Sequence, residues 1–180
     1  MSTGFMRTAT GRIILRLDEV EKGLLTSLSD QVIAFVSPDD AEHVDPLATL
    51  VGIDSAAERP DDPALARLLP DAYRDDPEAA DDFRRFTERG LRETKVAHAR
   101  AVRDALARSG EKVTIVPDEC PSWLGFLNDA RLAIGTRIGV EEDNHDELAS
   151  LPEDDPRSGM FHVYDWLTYL EESLVQTLLP

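Results

Sequence analysis

The residues of this 180-residue chain whose types best suit metal or nucleophilic chemistry are four histidines and one cysteine. The histidines form no HExxH pattern. The one Glu-x-x-His spacing, from Glu142 to His145, falls in an acidic stretch without the facing helices that a carboxylate metal site needs. The ten glycines form neither a phosphate-binding loop nor a dinucleotide-binding pattern. We therefore expect no metal, no cofactor and no catalytic residue, and a protein that is not an enzyme.

Cys120 is the only cysteine of the sequence, so an intramolecular disulfide is excluded. It is predicted at the N-terminus of a helix, where the helix dipole lowers the pKa of a thiol. Asp118 and Glu119 oppose that effect because they repel the thiolate. We expect an ordinary thiol and keep Cys120 as a candidate redox residue. Oxidation would have to produce a mixed disulfide, a disulfide between two chains or a sulfenic acid.

Most of the negative charge lies in two acidic segments. The formal net charge is −17, and residues 37–64 and 139–159 each hold eight acidic residues against one arginine. The two segments thus carry 14 of the 17 excess negative charges, and the rest of the chain is nearly neutral. Acidic segments repel phosphate backbones, so we expect no direct binding of nucleic acid.

No part of the sequence predicts a membrane or export signal. Residues 1–12 lack the apolar core of a signal peptide. No later run approaches the roughly 18 apolar residues of a membrane-spanning helix. We expect a cytoplasmic protein that does not contact a membrane.

A long helix over residues 78–109 is the main structural prediction. Asp76 is a good N-cap, Pro77 suits the first helical position, and Gly110 supplies a stop signal. Such a helix would be roughly 50 Å long. One face, which we expect to pack in the core, carries small and aromatic residues: Ala79, Phe83, Phe86, Gly90, Thr94, Ala97, Ala101 and Ala105.

The opposite face of this helix carries five arginines: Arg85, Arg89, Arg92, Arg100 and Arg103. Acidic residues lie beside them at i,i+4 spacing, as in Asp81–Arg85 and Glu88–Arg92. The pattern favours a solvated face of ion pairs. A docking surface for an acidic partner is the alternative interpretation.

The remaining elements are shorter. Two predicted strands, residues 11–18 and 112–116, are expected to pair, because a lone strand leaves its backbone groups unsatisfied. The other helices are predicted at residues 18–35, 46–51, 63–69, 118–139 and 161–179. The predicted fold is mainly α: a helical bundle around one long central helix, with a small two-stranded β element, in a single domain over residues 1–180.

Three segments resemble an actinobacterial family of unknown function whose members are described as oxidative-stress transcription regulators of the AosR type. They are LLPDAYRDDP at 68–77 continuing to FRRFT at 83–87, LNDARLAIGTR at 127–137, and VYDWLTYL at 163–170. With the strand at 11–18, the resemblance spans nearly the whole chain. It implies a cytoplasmic regulator that influences transcription by contacting a sigma factor or RNA polymerase.

Our leading hypothesis is a non-catalytic regulatory module that acts through a protein partner. Two alternatives stay open: direct DNA binding through the arginine face of the long helix, and an adaptor for proteolysis that docks through the acidic segments. The oligomeric state is also open. We expect one polar network where the resembling segments meet, supporting the fold or binding the partner, formed by Asp71, Tyr73, Asn128, Arg131, Arg137, Asp165 and Tyr169.

Overall fold

A computed structural model describes residues 3–37, 58–73 and 75–179 of the chain. Within these ranges the protein forms six α-helices and three β-strands. The helices are α1 (Glu19–Val36), α2 (Pro63–Leu68), α3 (Pro77–Arg108), α4 (Cys120–Ile138), α5 (His145–Ala149) and α6 (Pro156–Leu178), and one turn of 3-10 helix, Pro117–Glu119, precedes α4. The strands are β1 (Phe5–Arg7), β2 (Ile13–Arg16) and β3 (Lys112–Ile115). The predicted mainly α fold is confirmed, while the predicted helix at 46–51 lies outside the described residues.

The sheet has three strands where the sequence predicted two. Its order is β1-β2-β3, and both pairings are antiparallel. The predicted pairing of the two longer strands is confirmed, with Leu15 opposite Val113 and Ile13 opposite Ile115. The additional strand β1 escaped prediction because only Phe5 of its three residues points inward, which is too short for an alternating pattern.

Local capping residues fix where the helices begin and end. Asp18 and Glu21 form a reciprocal capping box at the start of α1. Asp76 accepts a hydrogen bond from the amide of Ala79 at the start of α3. Gly139 ends α4 in the left-handed conformation, with φ of 73°, which glycine adopts without a steric cost.

α4 lies at the centre of the packing. It contacts α1, α2, α3 and α6, while α3 packs mainly against α1 and α4. Trp123, Phe126 and Leu127 of α4 are fully buried in the main core, together with β2 and β3 side chains. A second, smaller apolar cluster joins Ile138, Leu148 and Phe161.

The core face predicted for the long helix is wrong along most of its length. The predicted 32-residue helix is present as α3, but Phe83 is 44% exposed and Phe86 is 62% exposed. Among the residues of that predicted face, only Ala105 is buried. The N-terminal half of α3 turns Arg84 and Glu88 inward instead, because other charged groups satisfy them there.

The second acidic segment also contains more structure than expected. Residues 145–149 form α5, and α6 begins at Pro156 instead of residue 161. Asp155 caps α6, accepting a hydrogen bond from the amide of Arg157 at 2.8 Å. Across the described residues, no helix combines the length and apolar character that crossing a bilayer requires.

Phe5→Ala should lower the free energy of unfolding by about 3–5 kcal/mol, because the ring packs in the core. Phe5 is 4% exposed, lies edge-on to Trp123 with centroids 5.6 Å apart, and donates its amide hydrogen to Ser173 Oγ at 3.0 Å. Met6→Ala on the same strand is the control, since Met6 is 40% exposed, and should change stability by less than about 0.5 kcal/mol. Urea unfolding measures both variants, and equal losses would contradict the anchoring of β1 by Phe5.

Candidate functional site

A cluster of charged side chains is buried beneath the turn between α2 and α3. Arg84 is 5% exposed and Glu88 is 6% exposed. Arg84 Nη2 donates to Asp71 Oδ1 at 2.5 Å and to the Leu69 carbonyl at 3.2 Å. Its Nη1 donates to Glu88. One guanidinium therefore ties the turn to α3.

Arg92 extends this cluster to α1. Its Nε donates to Glu88 Oε1 at 2.8 Å, and its Nη1 donates to the carbonyl of Val36 at 2.8 Å. Val36 is the last residue of α1, so the bond also satisfies a free carbonyl at a helix end. Glu88 thus lies between two arginines, which compensates for the burial of its charge.

The protonation state of Arg84 follows from these contacts. Burial acts to lower the pKa of the guanidinium, but the hydrogen bonds to Asp71 and Glu88 outweigh burial and raise the pKa of Arg84. Arg84 is therefore charged at every physiological pH. Within this cluster the Arg84 guanidinium therefore acts as a fixed positive charge that pairs with Asp71 and Glu88.

A second buried ion pair joins α3 to α4. Lys95 Nζ donates to Asp129 Oδ1 at 2.6 Å, and Asp129 is 2% exposed. Burial raises the pKa of Asp129, and the bond to Lys95 opposes that rise. Gly125 leaves room beside this pair for His98, since a Cβ at position 125 would lie 2.2 Å from His98 Nδ1. The two helices approach closely only because that residue is glycine.

The three family-resembling segments meet at a groove of about 890 Å³. The first segment contributes Pro70 and Asp71, the second contributes four residues of α4, and the third contributes Tyr164. The full lining is Arg59, Pro63, Ala66, Arg67, Pro70, Asp71, Arg131, Leu132, Gly135, Thr136, Gly139, Val140, Glu141 and Tyr164. The groove is our candidate functional site, because the elements that carry the resemblance converge on it.

Arg131 separates this groove from a neighbouring one of about 890 Å³ along α6. Its Nε lies 2.8 Å from Glu171 Oε2, and its Nη2 donates to Asn128 Oδ1 at 3.3 Å. These contacts hold the guanidinium between the two grooves. Among the seven residues predicted as one network, only Asn128 and Arg131 are hydrogen-bonded to each other by side chains.

The other five predicted residues form no side-chain hydrogen bond with that pair, although Asp71 lines the same groove as Arg131. Arg137 donates to Asp62 Oδ2 at 2.5 Å, which lowers the pKa of Asp62, and its guanidinium also covers the ring of Phe35. Asp165 lies 3.2 Å from His145 Nε2. The first contact joins α4 to the N-cap of α2, and the second joins α5 to α6. None of these four residues lines the groove.

Tyr73 and Tyr169 are half exposed, and Asp71 belongs to the buried cluster. The Tyr73 ring meets Phe83 edge-on at 5.9 Å. The Tyr169 hydroxyl lies 2.9 Å from where a Cβ at Gly4 would be. The single network that the sequence predicted is therefore several separate contacts.

Most of the arginine face is neutralised by acidic neighbours. Arg85 pairs with Asp82 at 3.3 Å and Arg89 with Glu93 at 3.1 Å. Arg103 lies 3.4 Å from Asp30 of α1, and Arg92 is held by the buried cluster. Arg100 alone forms no ion pair with another residue in the part of the chain that the structure describes.

Cys120 is poorly placed for redox chemistry. It is 2% exposed, and its thiol donates to the carbonyl of Val116 at 3.6 Å. Burial, with the nearby charge of Glu119, raises the pKa of Cys120. The thiolate, which is the reactive form, is therefore disfavoured. Within residues 3–37, 58–73 and 75–179, no three His, Cys, Asp or Glu side chains are grouped to hold a metal.

Sequence reasoning missed three buried charged residues, Arg84, Glu88 and Asp129, and the partly buried Lys95 that pairs with Asp129. The i,i+4 spacing of Arg84, Glu88 and Arg92 was visible, but such pairs are common on exposed faces. What distinguishes this cluster is the Asp71 carboxylate, which also pairs with Arg84. Only the fold shows that Asp71 reaches Arg84.

Arg84→Ala should lower the free energy of unfolding by about 3–5 kcal/mol, because it leaves the buried Glu88 with one fewer partner. Arg85→Ala on the next position is the matched control. Arg85 is 49% exposed in its pair with Asp82, so its loss should cost about 0–1 kcal/mol. Urea denaturation compares the two, and a cost for Arg84→Ala as small as the control would show that the cluster does not hold the turn.

Known proteins resemble this chain over nearly its whole length. The family described as "Domain of unknown function (DUF2017)" matches residues 2–178. The chain is similar to proteins named "Oxidative stress regulator AosR" from Mycobacterium tuberculosis (strain ATCC 25618 / H37Rv) and Mycobacterium bovis, each 31% identical, with 98% of this chain and 94% of each relative covered. A "Putative oxidative stress regulator AosR" of Mycobacterium leprae is 32% identical over 78% of this chain and 70% of that protein. No solved structure matches. The resemblance predicted from the sequence is confirmed, and the chain belongs to the DUF2017 family.

Proposed function

We propose that this chain is a non-catalytic, cytoplasmic regulator of the response to oxidative stress that acts in transcription by contacting another protein. Relatives named as oxidative stress regulators match it over 98% of its length, which supports a regulatory role for the whole chain. The observation that carries the proposal is the groove where the three family segments converge. The expected partner is a sigma factor or a subunit of RNA polymerase.

The groove has the chemistry of a polypeptide-binding surface. Arg67 lies at its rim, is exposed, and forms no ion pair with any residue in the described ranges. Arg59 is 70% exposed beside it, while Asp71 and Glu141 supply the opposite sign. Mixed charge around apolar and backbone surface is typical of protein interfaces, where rim charges select the partner. An acidic side chain of the partner would fit beside Arg67.

Direct DNA binding is less well supported by the same charges. A DNA-binding surface neutralises phosphates with free arginines and lysines. Four of the five arginines on the arginine face of α3 instead pair with acidic groups of the chain itself. The net charge of −17 adds long-range repulsion of the phosphate backbone.

The adaptor hypothesis needs acidic segments that are free to dock. In the second segment, Leu148 of α5 is 3% exposed and packs with Ile138 and Phe161. This part of the acidic segment is therefore attached to the helical body. We favour the groove over this segment as the surface that contacts a partner.

Arg67→Glu should weaken capture of the partner from a lysate by about tenfold or more, because it reverses the free charge at the groove rim. Tagged wild-type chain should retain a sigma factor or polymerase subunit, identified by mass spectrometry. Arg16→Glu is the matched control, since Arg16 is exposed on β2, away from the groove. Circular dichroism establishes that both variants are folded.

If Arg67→Glu and Arg16→Glu captured the partner equally well, the groove would not be the surface that binds it. A complex of purified protein with promoter DNA, formed without other proteins and weakened steeply by salt, would favour the DNA-binding alternative. Capture of a protease chaperone in place of transcription proteins would favour the adaptor alternative.

Cys120→Ser should leave both the fold and partner capture unchanged, with or without peroxide treatment. The reason is that Cys120 is 2% exposed and its thiol pKa is raised, so peroxide meets little thiolate. The measurement is partner capture by the wild type and by Cys120→Ser at several peroxide concentrations. If oxidation abolished capture by the wild type and the serine variant resisted, Cys120 would be the sensor after all.

A further inference from the structure

The exposed side of α3 carries an apolar surface that the described elements leave largely exposed, with the Tyr73 ring meeting it edge-on at Phe83. We call it the outer face of α3 and define it by Ala79, Phe83, Phe86, Gly90, Thr94, Ala97 and Ala101. These residues recur at helical spacing on the side opposite the buried Ala99, Val102 and Leu106. Phe83 and Phe86 are 44% and 62% exposed, which is unusual for phenylalanine on a charged helix.

The outer face is complementary to itself in size. Its large side chains, Phe83 and Phe86, lie before Gly90, and its small side chains lie after it. A two-fold axis through Gly90, relating two antiparallel helices, places position 90−n opposite position 90+n. Phe83 then lies opposite Ala97 of the second copy, and Phe86 opposite Thr94. Gly90 lies at the crossing, and a Cβ there would have no atom within 4 Å in its own chain.

The charges flanking the outer face are complementary in the same arrangement. Asp82 and Arg100 are 18 residues apart, about five helical turns, so they lie on the same flank. Around Gly90, Asp82 of one copy lies opposite position 98 of the other, about 3 Å along the helix axis from Arg100. Asp82 would exchange its exposed contact with Arg85 for one with Arg100. Arg100 forms no ion pair with a described residue of its own chain, so it is free to make this contact. The two-fold axis would create the pair twice.

A groove borders the small-residue half of the face. It measures about 540 Å³ and is lined by Ser37, Arg92, Glu93, Val96, Ala97, Arg100, Ala101 and Asp104. In the antiparallel arrangement an aromatic ring of the second copy lies beside Ala97, at the edge of this groove. Among the described residues, shape, charge and an accessible groove therefore agree.

We propose that the outer face of α3 binds a second copy of this chain, as an antiparallel helix pair with its two-fold axis at Gly90. The face from residue 79 to residue 101 is about 33 Å long, and a helix is about 10 Å wide, which gives a footprint of roughly 330 Å² per copy. Stable interfaces bury about 800 Å² per partner. The dimer is therefore reversible and depends on protein concentration.

Sedimentation equilibrium of the full chain over a range of concentrations tests the proposal. The wild type should move from the monomer mass of 20.0 kDa towards twice that mass. Phe86→Glu should raise the dissociation constant about tenfold or more, because it buries a charge in the pair. Val20→Glu is the matched control with the same charge change at a residue of α1 that is 79% exposed, and it should dimerise like the wild type.

Charge reversal tests the predicted contact between Asp82 and Arg100. Asp82→Arg and Arg100→Asp should each weaken the dimer, because each places like charges opposite one another. The double variant should restore it, since the ion pair is rebuilt with exchanged signs. Failure of the double variant to recover affinity would overturn the predicted register.

Cysteine cross-linking tests the direction of the helices, in a Cys120→Ser background. Gly90→Cys should form a disulfide between copies, and Ala97→Cys alone should not, because residue 97 meets residue 83. Cross-linking of Ala97→Cys alone would indicate parallel helices and overturn the proposal. A wild type that stays monomeric at all concentrations would also overturn it. If the wild type is monomeric and Phe86→Glu no longer captures the protein partner from a lysate, the outer face of α3 binds that partner and not a second copy.

Discussion

The orientation of α3 about its own axis depends on one buried guanidinium. Arg84 pairs with Asp71 and Glu88, and it donates to the Leu69 carbonyl. Removing charge from water is unfavourable unless the charge is closely paired, so Arg84 and Glu88 can face inward only where the α2–α3 turn brings Asp71 to them. The α2–α3 turn therefore determines which side of α3 is buried, and the buried Arg84 of α3 in turn holds the turn in place.

This constraint explains why the hydrophobic periodicity of α3 does not predict which face of the helix is buried. Hydrophobic periodicity assigns the apolar stripe to the core and the charged stripe to solvent. In the N-terminal half of α3 the charged Arg84 and Glu88 are buried and the aromatic Phe83 and Phe86 are exposed. Further along, Val96, Ala99 and Val102 return the helix to ordinary apolar packing. The rule failed where ion pairs replaced apolar contacts.

What the sequence could predict depended on local interactions. The start of α3 at Pro77 and the end of α4 at Gly139 follow from capping, which neighbouring residues decide. The candidate site depended on contacts between residues distant in the chain. Arg137 meets Asp62 75 residues away, and Lys95 meets Asp129 34 residues away. No spacing rule contains those distances, so the sequence predicted that the family segments would meet but not which side chains would pair around them.

The pairing of charges also bears on the kind of partner that the chain can bind. A protein with free arginines on an exposed helix attracts any polyanion, including nucleic acid. Here the ion pairs on α3 remove most of that attraction. The surfaces that remain are the groove, with charges of both signs at its rim, and the apolar outer face of α3. The groove and the outer face of α3 share no lining residue. In the proposed arrangement a partner protein would bind the groove and a second copy would bind the outer face of α3, so single substitutions would separate the two contacts.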